Sequence, residues 1–309
     1  MKVLIIGLGS IARKHIEALR TLEPDVELEA LRSSNTSPSF PYVKDIYALP
    51  QKPDYDFIII SNPTSLHAET IKNLLDYKIP LFLEKPLFHT LGHEDIIESV
   101  KNNDILTYVA CNLRFVDSLS FLHDYLKDHP DICVNEINSY CGSHLPDWRP
   151  GKDYRKSYSA NPEMGGGVHL DLIHELDYIC WLFGYPSESI GFFRNVSSID
   201  IEAMDYANYL LFYPHFTASI VLNYYRRDYK RTLEIVFDTD TWLIDLKFNQ
   251  IIDSKGNTVF TGKIGISDSY LCQMQYFLTL LKSRSKASND MENAYKTLKI
   301  ALNYERPEK

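Results

Sequence analysis

Short apolar runs alternate with helical periodicity over the first third of the chain. Val3 to Ile6 is a continuous apolar strand, after which Ile11, His15, Ile16, Leu19 and Leu22 recur at helical spacing. Val26 to Leu31 reads as a second strand, the Ser- and Pro-rich stretch from Ser33 to Pro41 as a loop, and Phe57 to Ile60 as a third strand. Ser65 to Tyr77 predicts a helix, Leu81 to Leu83 a strand, Asp95 to Val100 a helix and Ile105 to Ala110 another strand. Apolar runs without polar alternation suit strands covered on both faces. The β-α-β order therefore predicts a doubly wound parallel sheet of the Rossmann type.

The pattern changes after about residue 115. Ser118 to Lys127 predicts a helix, and Ile132 to Tyr140 alternates like a half-buried strand. A polar, aromatic stretch from Gly142 to Pro162 precedes one long amphipathic helix from Val168 to Phe183, stopped by Gly184. Strands follow near Ile190 to Val196, Asn208 to Tyr213, Thr217 to Tyr225, Thr232 to Phe237 and Trp242 to Leu246. Helices near Tyr270 to Lys282 and Met291 to Asn303 close the chain. Alternating strands of this kind fit an antiparallel sheet with one wet face. The expected division is a dinucleotide-binding domain over 1–116 and a second α/β domain over 117–309.

Composition narrows the class. A length of 309 residues suits two domains at about 150 residues each, and surface scaling predicts burial of roughly 74% of the unfolded chain's area. Hydrophobic residues at 45% and charged residues at 24% are ordinary globular values. The net charge of −9 makes the chain a poor nucleic-acid binder, since it has no cation excess to displace counterions. No apolar run approaches the length of about 18 residues that a membrane span needs. The Val3 to Gly9 segment imitates a signal peptide, but Arg13-Lys14-His15 cuts off its apolar region. Cys111, Cys133, Cys141, Cys180 and Cys272 are odd in number, widely spaced and without a CxxC pair. They suit small core residues in a reducing, cytoplasmic setting.

The first chemical motif is Gly7-Leu8-Gly9-Ser10-Ile11-Ala12, a GxGxxA between a strand and a helix. Gly7 permits a tight turn, Gly9 lets a pyrophosphate approach the backbone, and Ala12 permits close helix–sheet packing. The helix end, at Ser10 and Ile11, offers free N–H groups to the phosphates. At the end of the second strand the acid that would accept from a ribose 2′-OH is absent. Arg32, Ser33 and Ser34 stand there instead and suit a 2′-phosphate, which favours NADP(H) over NAD(H).

Leu83-Glu84-Lys85-Pro86 puts a lysine at a strand end, where ligands of doubly wound sheets lie. Its ammonium would stabilise a developing alkoxide. Gly165-Gly166-Gly167 opens the long helix, with His169, Asp171, His174 and Asp177 on it. Asp171 and His174 at i, i+3 share a face, and His174 is the better proton carrier near neutrality. As metal ligands His169, Asp171 and His174 do not converge on one helical face, so no metal is expected. The loop residues Trp148, Arg149, Tyr154, Arg155 and Tyr158 combine ring faces with guanidinium groups, a pairing that suits sugars and anions. Asn112 and Arg114, after a strand, are further lining candidates.

Taken in order, these motifs resemble the glucose–fructose oxidoreductase, inositol dehydrogenase and rhizopine catabolism protein (Gfo/Idh/MocA) family. The matching residues are the GxGxxAxxH from Gly7 to His15, Asn62-Pro63-Thr64-Ser65-Leu66-His67, Glu84-Lys85-Pro86, Asn112-x-Arg114-Phe115, and Gly165-Gly166-Gly167 with Asp171 and His174. The resemblance implies an N-terminal Rossmann domain and a C-terminal α/β domain with a large open antiparallel sheet. It further implies a homo-oligomer, dimer or tetramer, formed through that sheet. Lys85 and His174 would flank the reacting carbon of a sugar, nucleotide sugar or polyol, with Asp171 assisting. Ser61, Asn62, Pro63, His67 and Glu84 would lie on the nicotinamide side. The spacing Asp171-Leu172-Ile173-His174 is one residue shorter than the common family pattern. The expected activity is NAD(P)-dependent hydride transfer at a secondary alcohol or ketone. The alternatives are a glycosidase or isomerase using NAD transiently, and a dinucleotide-sensing regulator of the same fold.

Overall fold

The computed structural model describes residues 1–32 and 40–303. Ser33 and Ser34 therefore lie outside the described residues. The chain divides into two compact units, Met1–Ala110 with Tyr270–Lys296, and Cys111–Ser269 with the segment from Thr297 onward.

The first unit holds β1 (Lys2–Ile6), α1 (Ser10–Leu22), β2 (Glu27–Leu31), β3 (Val43–Ile46), β4 (Phe57–Ile60), α2 (His67–Leu74), β5 (Leu81–Leu83), α3 (Glu94–Asn102) and β6 (Thr107–Val109). The six strands form one sheet in the order β3-β2-β1-β4-β5-β6. Every pairing in it is parallel. β2 and β3 lie on one side of β1 and β4, β5 and β6 on the other, so the strand order reverses between β1 and β4. The apolar runs explain the burial: Leu4, Ile5 and all of Phe57 to Ile60 are at 0% exposure. α1 turns Ala12, His15, Ile16 and Leu19 inward, as its spacing predicts. The Tyr270–Lys296 segment brings Phe277 edge-on to Phe57 and Phe82, at centroid distances of 5.0 and 5.2 Å.

The second unit holds α4 (Asp117–Asp128), β7 (Val134–His144), α5 (Val168–Asp171), α6 (His174–Phe183), β8 (Glu188–Arg194), β9 (Tyr206–Phe212), β10 (Thr217–Asn223), β11 (Tyr225–Phe237), β12 (Thr241–Asp245), β13 (Gln250–Ile252) and β14 (Thr258–Thr261). Next in chain order come α7 (Ser269–Ser283), nearly all of it in the returning segment, and α8 (Met291–Ala301), which begins in that segment and runs past Thr297. The eight strands run β14-β13-β12-β11-β7-β10-β9-β8. All pairs are antiparallel except β10 with β7. One face is dry: Ala207, Tyr209 and Leu211 are at 0% exposure, whereas Leu210 between them is at 37%. α6 lies over the dry face, where the Tyr178 hydroxyl meets Ser139 Oγ at 2.7 Å.

Three local expectations are corrected. The single helix from Val168 to Phe183 is two helices, because Leu172 at φ −101°, ψ 29° leaves helical geometry. The strand expected over Thr232 to Phe237 begins at Tyr225 and runs 13 residues. Its first half is polar on both sides and so carries no alternation to read. β3, β13 and β14, three or four residues long, are too short for a readable period.

Candidate functional site

In the first unit the candidate residues gather at the carboxyl ends of β1, β4 and β5. Gly7 leaves β1 at φ 94°, and a Cβ there would collide with the Asn62 backbone. The turn can therefore lie flush against the segment after β4 only as glycine. Ser61 Oγ locks that approach by donating to the Gly7 carbonyl at 2.7 Å. Gly9 caps α1 without a side-chain hydrogen bond, and a Cβ at Gly9 would meet none of the described residues within 4 Å. No acidic residue stands in the first turn of α1. The N–H groups at Ser10, Ile11 and Ala12 lie in the first turn of α1, at the positive end of the helix dipole, an arrangement that fits a pyrophosphate. Asn62 Nδ2 donates to Thr70 Oγ1 at 2.8 Å, and Pro63 starts the turn that leads to α2. His67 is fully buried between the carbonyls of Asn62 and Leu87, each at 3.0 Å, and burial pushes its pKa down.

Glu84 follows β5 and is 7% exposed. One carboxylate oxygen meets His15 Nε2 at 2.5 Å, and the other accepts the Lys85 N–H at 3.1 Å. Lys85 thus stands just past a strand end, on the side of the sheet where the glycine turn lies. Arg32, after β2, pairs through Nη1 with Asp45 at 3.1 Å, and both side chains are largely buried.

In the second unit the glycine stretch leads into α5 and α6. Asp171 ends α5 and accepts a hydrogen bond from the Tyr224 hydroxyl at 2.5 Å. Burial first, and the Asp171 carboxylate next, push the Tyr224 phenol well above its ordinary range. Trp148 stands edge-on to Tyr224 at 5.4 Å and donates from Nε1 to Ser143 Oγ at 2.9 Å. His174 opens α6 and is buried. The i, i+3 argument for a shared helical face fails here, because the break at Leu172 separates Asp171 from His174. Immediately after His174, Glu175 is bidentate to Arg231 at 2.6 and 3.1 Å, and Asp177 is bidentate to Arg114 at 2.7 and 2.8 Å. All four side chains are buried. Planar fork-to-fork pairs of this kind fix the first turn of α6, and they occupy the Arg114 guanidinium.

The remaining candidates are placed as follows. Asn112 is buried and donates to Ser269 Oγ at 2.7 Å. Arg149 is exposed, and Arg155 pairs with its neighbour Asp153 at 2.9 Å. Tyr154 is half-buried, and Tyr158 donates to the Gly165 carbonyl at 2.7 Å. His169 packs on Phe193 at 4.7 Å, and burial pushes its pKa down to about 4. Among the described residues no group of three His, Cys, Asp or Glu is arranged to hold a metal ion. Sequence reasoning missed Tyr224, Glu175 and Arg231. For the latter two a signal existed: an acid inside an otherwise apolar helix demands a buried cation. Tyr224 carries no such signal.

Comparison with known proteins agrees with this layout. A family model described as an oxidoreductase family with an NAD-binding Rossmann fold matches residues 1–110, and one described as the GFO/IDH/MocA C-terminal domain matches residues 136–242. The chain is 25% identical over 200 residues to a myo-inositol 2-dehydrogenase of Thermotoga maritima, covering 62% of this chain and 57% of that protein. It is 28% identical over 138 residues to a 2,7-anhydro-N-acetylneuraminate hydratase of Escherichia coli, covering 44% and 35%. The matches thus span little more than half of these relatives at most. Among solved structures, a levoglucosan dehydrogenase in complex with NADH and levoglucosan superposes with a TM-score of 0.84 at 15% identity, covering 97% of this chain and 95% of that one. An oxidoreductase from Agrobacterium radiobacter in complex with NAD+, L-tartaric acid and magnesium gives 0.81 at 17% identity, covering 97% and 94%. At such identities the likeness is one of fold. With both of its characteristic domains matched, in order, on the two sheets described above, the chain belongs to the Gfo/Idh/MocA family of oxidoreductases.

Proposed function

We propose that this protein transfers hydride between a nicotinamide dinucleotide and a secondary alcohol or ketone of a sugar, nucleotide sugar or polyol. The observation that carries the reading is the glycine turn: Gly7 flush against Asn62, and Gly9 open beside an uncapped helix end. Ser10, Ile11 and Ala12 would hold the pyrophosphate, and Asn62 and His67 would border the nicotinamide. When bound, the nicotinamide supplies a hydride acceptor or donor at its ring. Lys85 holds the substrate oxygen with its ammonium and favours negative charge there. His174 takes the hydroxyl proton in oxidation and returns it in reduction. Asp171, fixed by Tyr224, assists from its own helix. Trp148 and Tyr154 offer ring faces to a sugar, with Arg149, Arg155 and Tyr158 in the same loop region.

Within that reading NADP(H) is the preferred dinucleotide, supported by Arg32 at the end of β2. A 2′-phosphate would draw the guanidinium from Asp45. The protein is a homo-oligomer through the wet face of its eight-stranded sheet, where Phe192, Leu210 and Leu243 are exposed. A second reading, transient oxidation within a hydratase, glycosidase or isomerase cycle, is favoured by the relative named as a hydratase.

The test is a panel of polyols and sugars with NADH, NADPH and their oxidised forms. Lys85→Ala and His174→Ala should each cut kcat by about 10²-fold or more, with the dinucleotide Kd within about threefold. Full turnover in both variants would defeat the assignment. Net change at the nicotinamide absorbance separates a dehydrogenase from the transient-oxidation reading, and a lower KM for NADH than for NADPH would reverse the cofactor choice.

A further inference from the structure

The chemistry proposed above gives no role to His15, which belongs to the glycine-turn motif yet is at 0% exposure and meets Glu84. We propose that His15 is a positioning residue for Lys85, acting through Glu84; this rests on the assignment of Lys85 to the substrate oxygen.

Three observations meet at this point. First, the His15 ring is clasped edge-on by Phe82 at 4.8 Å and tilted against Tyr270 at 6.2 Å. Among the described residues its Nδ1 has no hydrogen-bond partner. A buried N–H at Nδ1 would lose its hydration without compensation, so the donor the ring turns to a partner is the one at Nε2. That hydrogen points at Glu84 Oε1, 2.5 Å away. Second, Glu84 is held at both ends: its own N–H donates to the Ile60 carbonyl at 2.9 Å, and its Oε1 is taken by His15. Third, β5 ends at Leu83, so strand pairing does not specify the course of the chain at Lys85. The Lys85 N–H instead donates to Glu84 Oε2 at 3.1 Å.

The carboxylate therefore works as a bridge. One oxygen is pinned by a helix that also presents the phosphate-binding turn, and the other pins the backbone from which the Lys85 side chain springs. Without the His15 donor, Oε1 would be a nearly buried carboxylate oxygen lacking its partner. The group would rotate towards water to recover solvation, and its hold on the Lys85 N–H would go with it. His15 is fully enclosed and meets Glu84 rather than Lys85 itself, so its effect reaches the chemistry through the placement of residue 85.

The experiment uses the full chain with His15→Leu, which removes the donor, and His15→Gln, which restores an N–H at similar reach. The Lys85 amide exchange rate is read by NMR in the dinucleotide-free protein, alongside kcat, KM and the dinucleotide Kd. His15→Leu should speed exchange at Lys85 by about tenfold and lower kcat by about tenfold or more, the loss of one charge-assisted hydrogen bond. KM and Kd should stay within about threefold, and His15→Gln should restore both exchange and kcat. In a Lys85→Ala background His15→Leu should cost nothing further, because residues acting as a unit are not additive. An unchanged Lys85 exchange rate in His15→Leu, or an undiminished kcat loss in the Lys85→Ala background, would overturn the proposal. Should His15→Leu fail to fold, Glu84→Gln carries the same exchange and kcat expectations, since it presents an amide in place of the bridging carboxylate. If Lys85→Ala keeps full turnover, the assignment of Lys85 fails by itself, and the amide-exchange result still decides the role of His15.

Discussion

A methyl group added at Gly7 and one added at Gly9 would meet opposite fates. At Gly7 it strikes the Asn62 backbone and sits on a residue at φ 94°. Gly7→Ala should destabilise the fold by about 1–3 kcal/mol, the range for a strained left-handed position. At Gly9 the methyl enters open space, so Gly9→Ala should cost under about 1 kcal/mol as a lost helix cap while weakening dinucleotide binding about tenfold or more by crowding the phosphates. Urea unfolding and dinucleotide titration on the two variants check this contrast; equal binding by wild type and Gly9→Ala would count against a pyrophosphate at that turn. His169 shows burial acting on a titratable group. Its pKa falls to about 4 in the fold, while an unfolded histidine stays near its ordinary value. Between those values the unfolded state binds more protons, so stability drops as pH falls through that window. The loss from pH 7 to pH 5 should be roughly 2 kcal/mol, read as a shift in urea midpoint that His169→Asn largely removes. The glycine turn and Lys85 were legible as motifs because each needs only local backbone. The Tyr224–Asp171 bond was not, since its partners lie 53 positions apart in sequence.

At the scale of elements, the informative feature is the break between α5 and α6. Hydrophobic periodicity continues across Leu172 and Ile173, and periodicity alone predicts one helix there. Packing decides otherwise, and the break lets His174 open a new helix whose first turn is clamped. Those clamps make a prediction about stability. Removing one partner of a buried pair strands the other, at a cost of about 3–5 kcal/mol. Arg231→Met should show that loss in urea unfolding, and the double variant Arg231→Met with Glu175→Leu should recover most of it. If the single variant were as stable as wild type, the Glu175–Arg231 pair would not be the restraint on α6. The same physics explains β11: its first half is polar on both sides and is drawn into the sheet by pairing with β7, which no local pattern reports.

For the whole molecule, the chain builds two units with different surfaces. In the parallel sheet β1, β4, β5 and β6 are buried almost throughout. The eight-stranded sheet keeps one face at intermediate or full exposure, with Phe192 at 44%, Leu210 at 37% and Leu243 at 36%. The three side chains share that face, which is where the proposed contact with a second copy would lie. Sedimentation equilibrium should give a mass of at least two chains, and Leu210→Glu with Leu243→Glu should lower it while leaving the dinucleotide Kd unchanged. A monomer at high concentration would refute the oligomer.

What local sequence determined by itself was the strand and helix alternation, the glycine turn at its place after β1, and the lysine at a strand end. Each depends on neighbours along the chain, through side-chain period, backbone freedom or strand termination. Tertiary structure decided the rest: which acid faces which cation, where a continuous apolar stripe stops being one helix, and that His15 and Glu84, 69 positions apart, meet. Those outcomes follow from burial, because a polar group taken from water must find its partner wherever the fold brings one, and sequence distance carries no record of where that is.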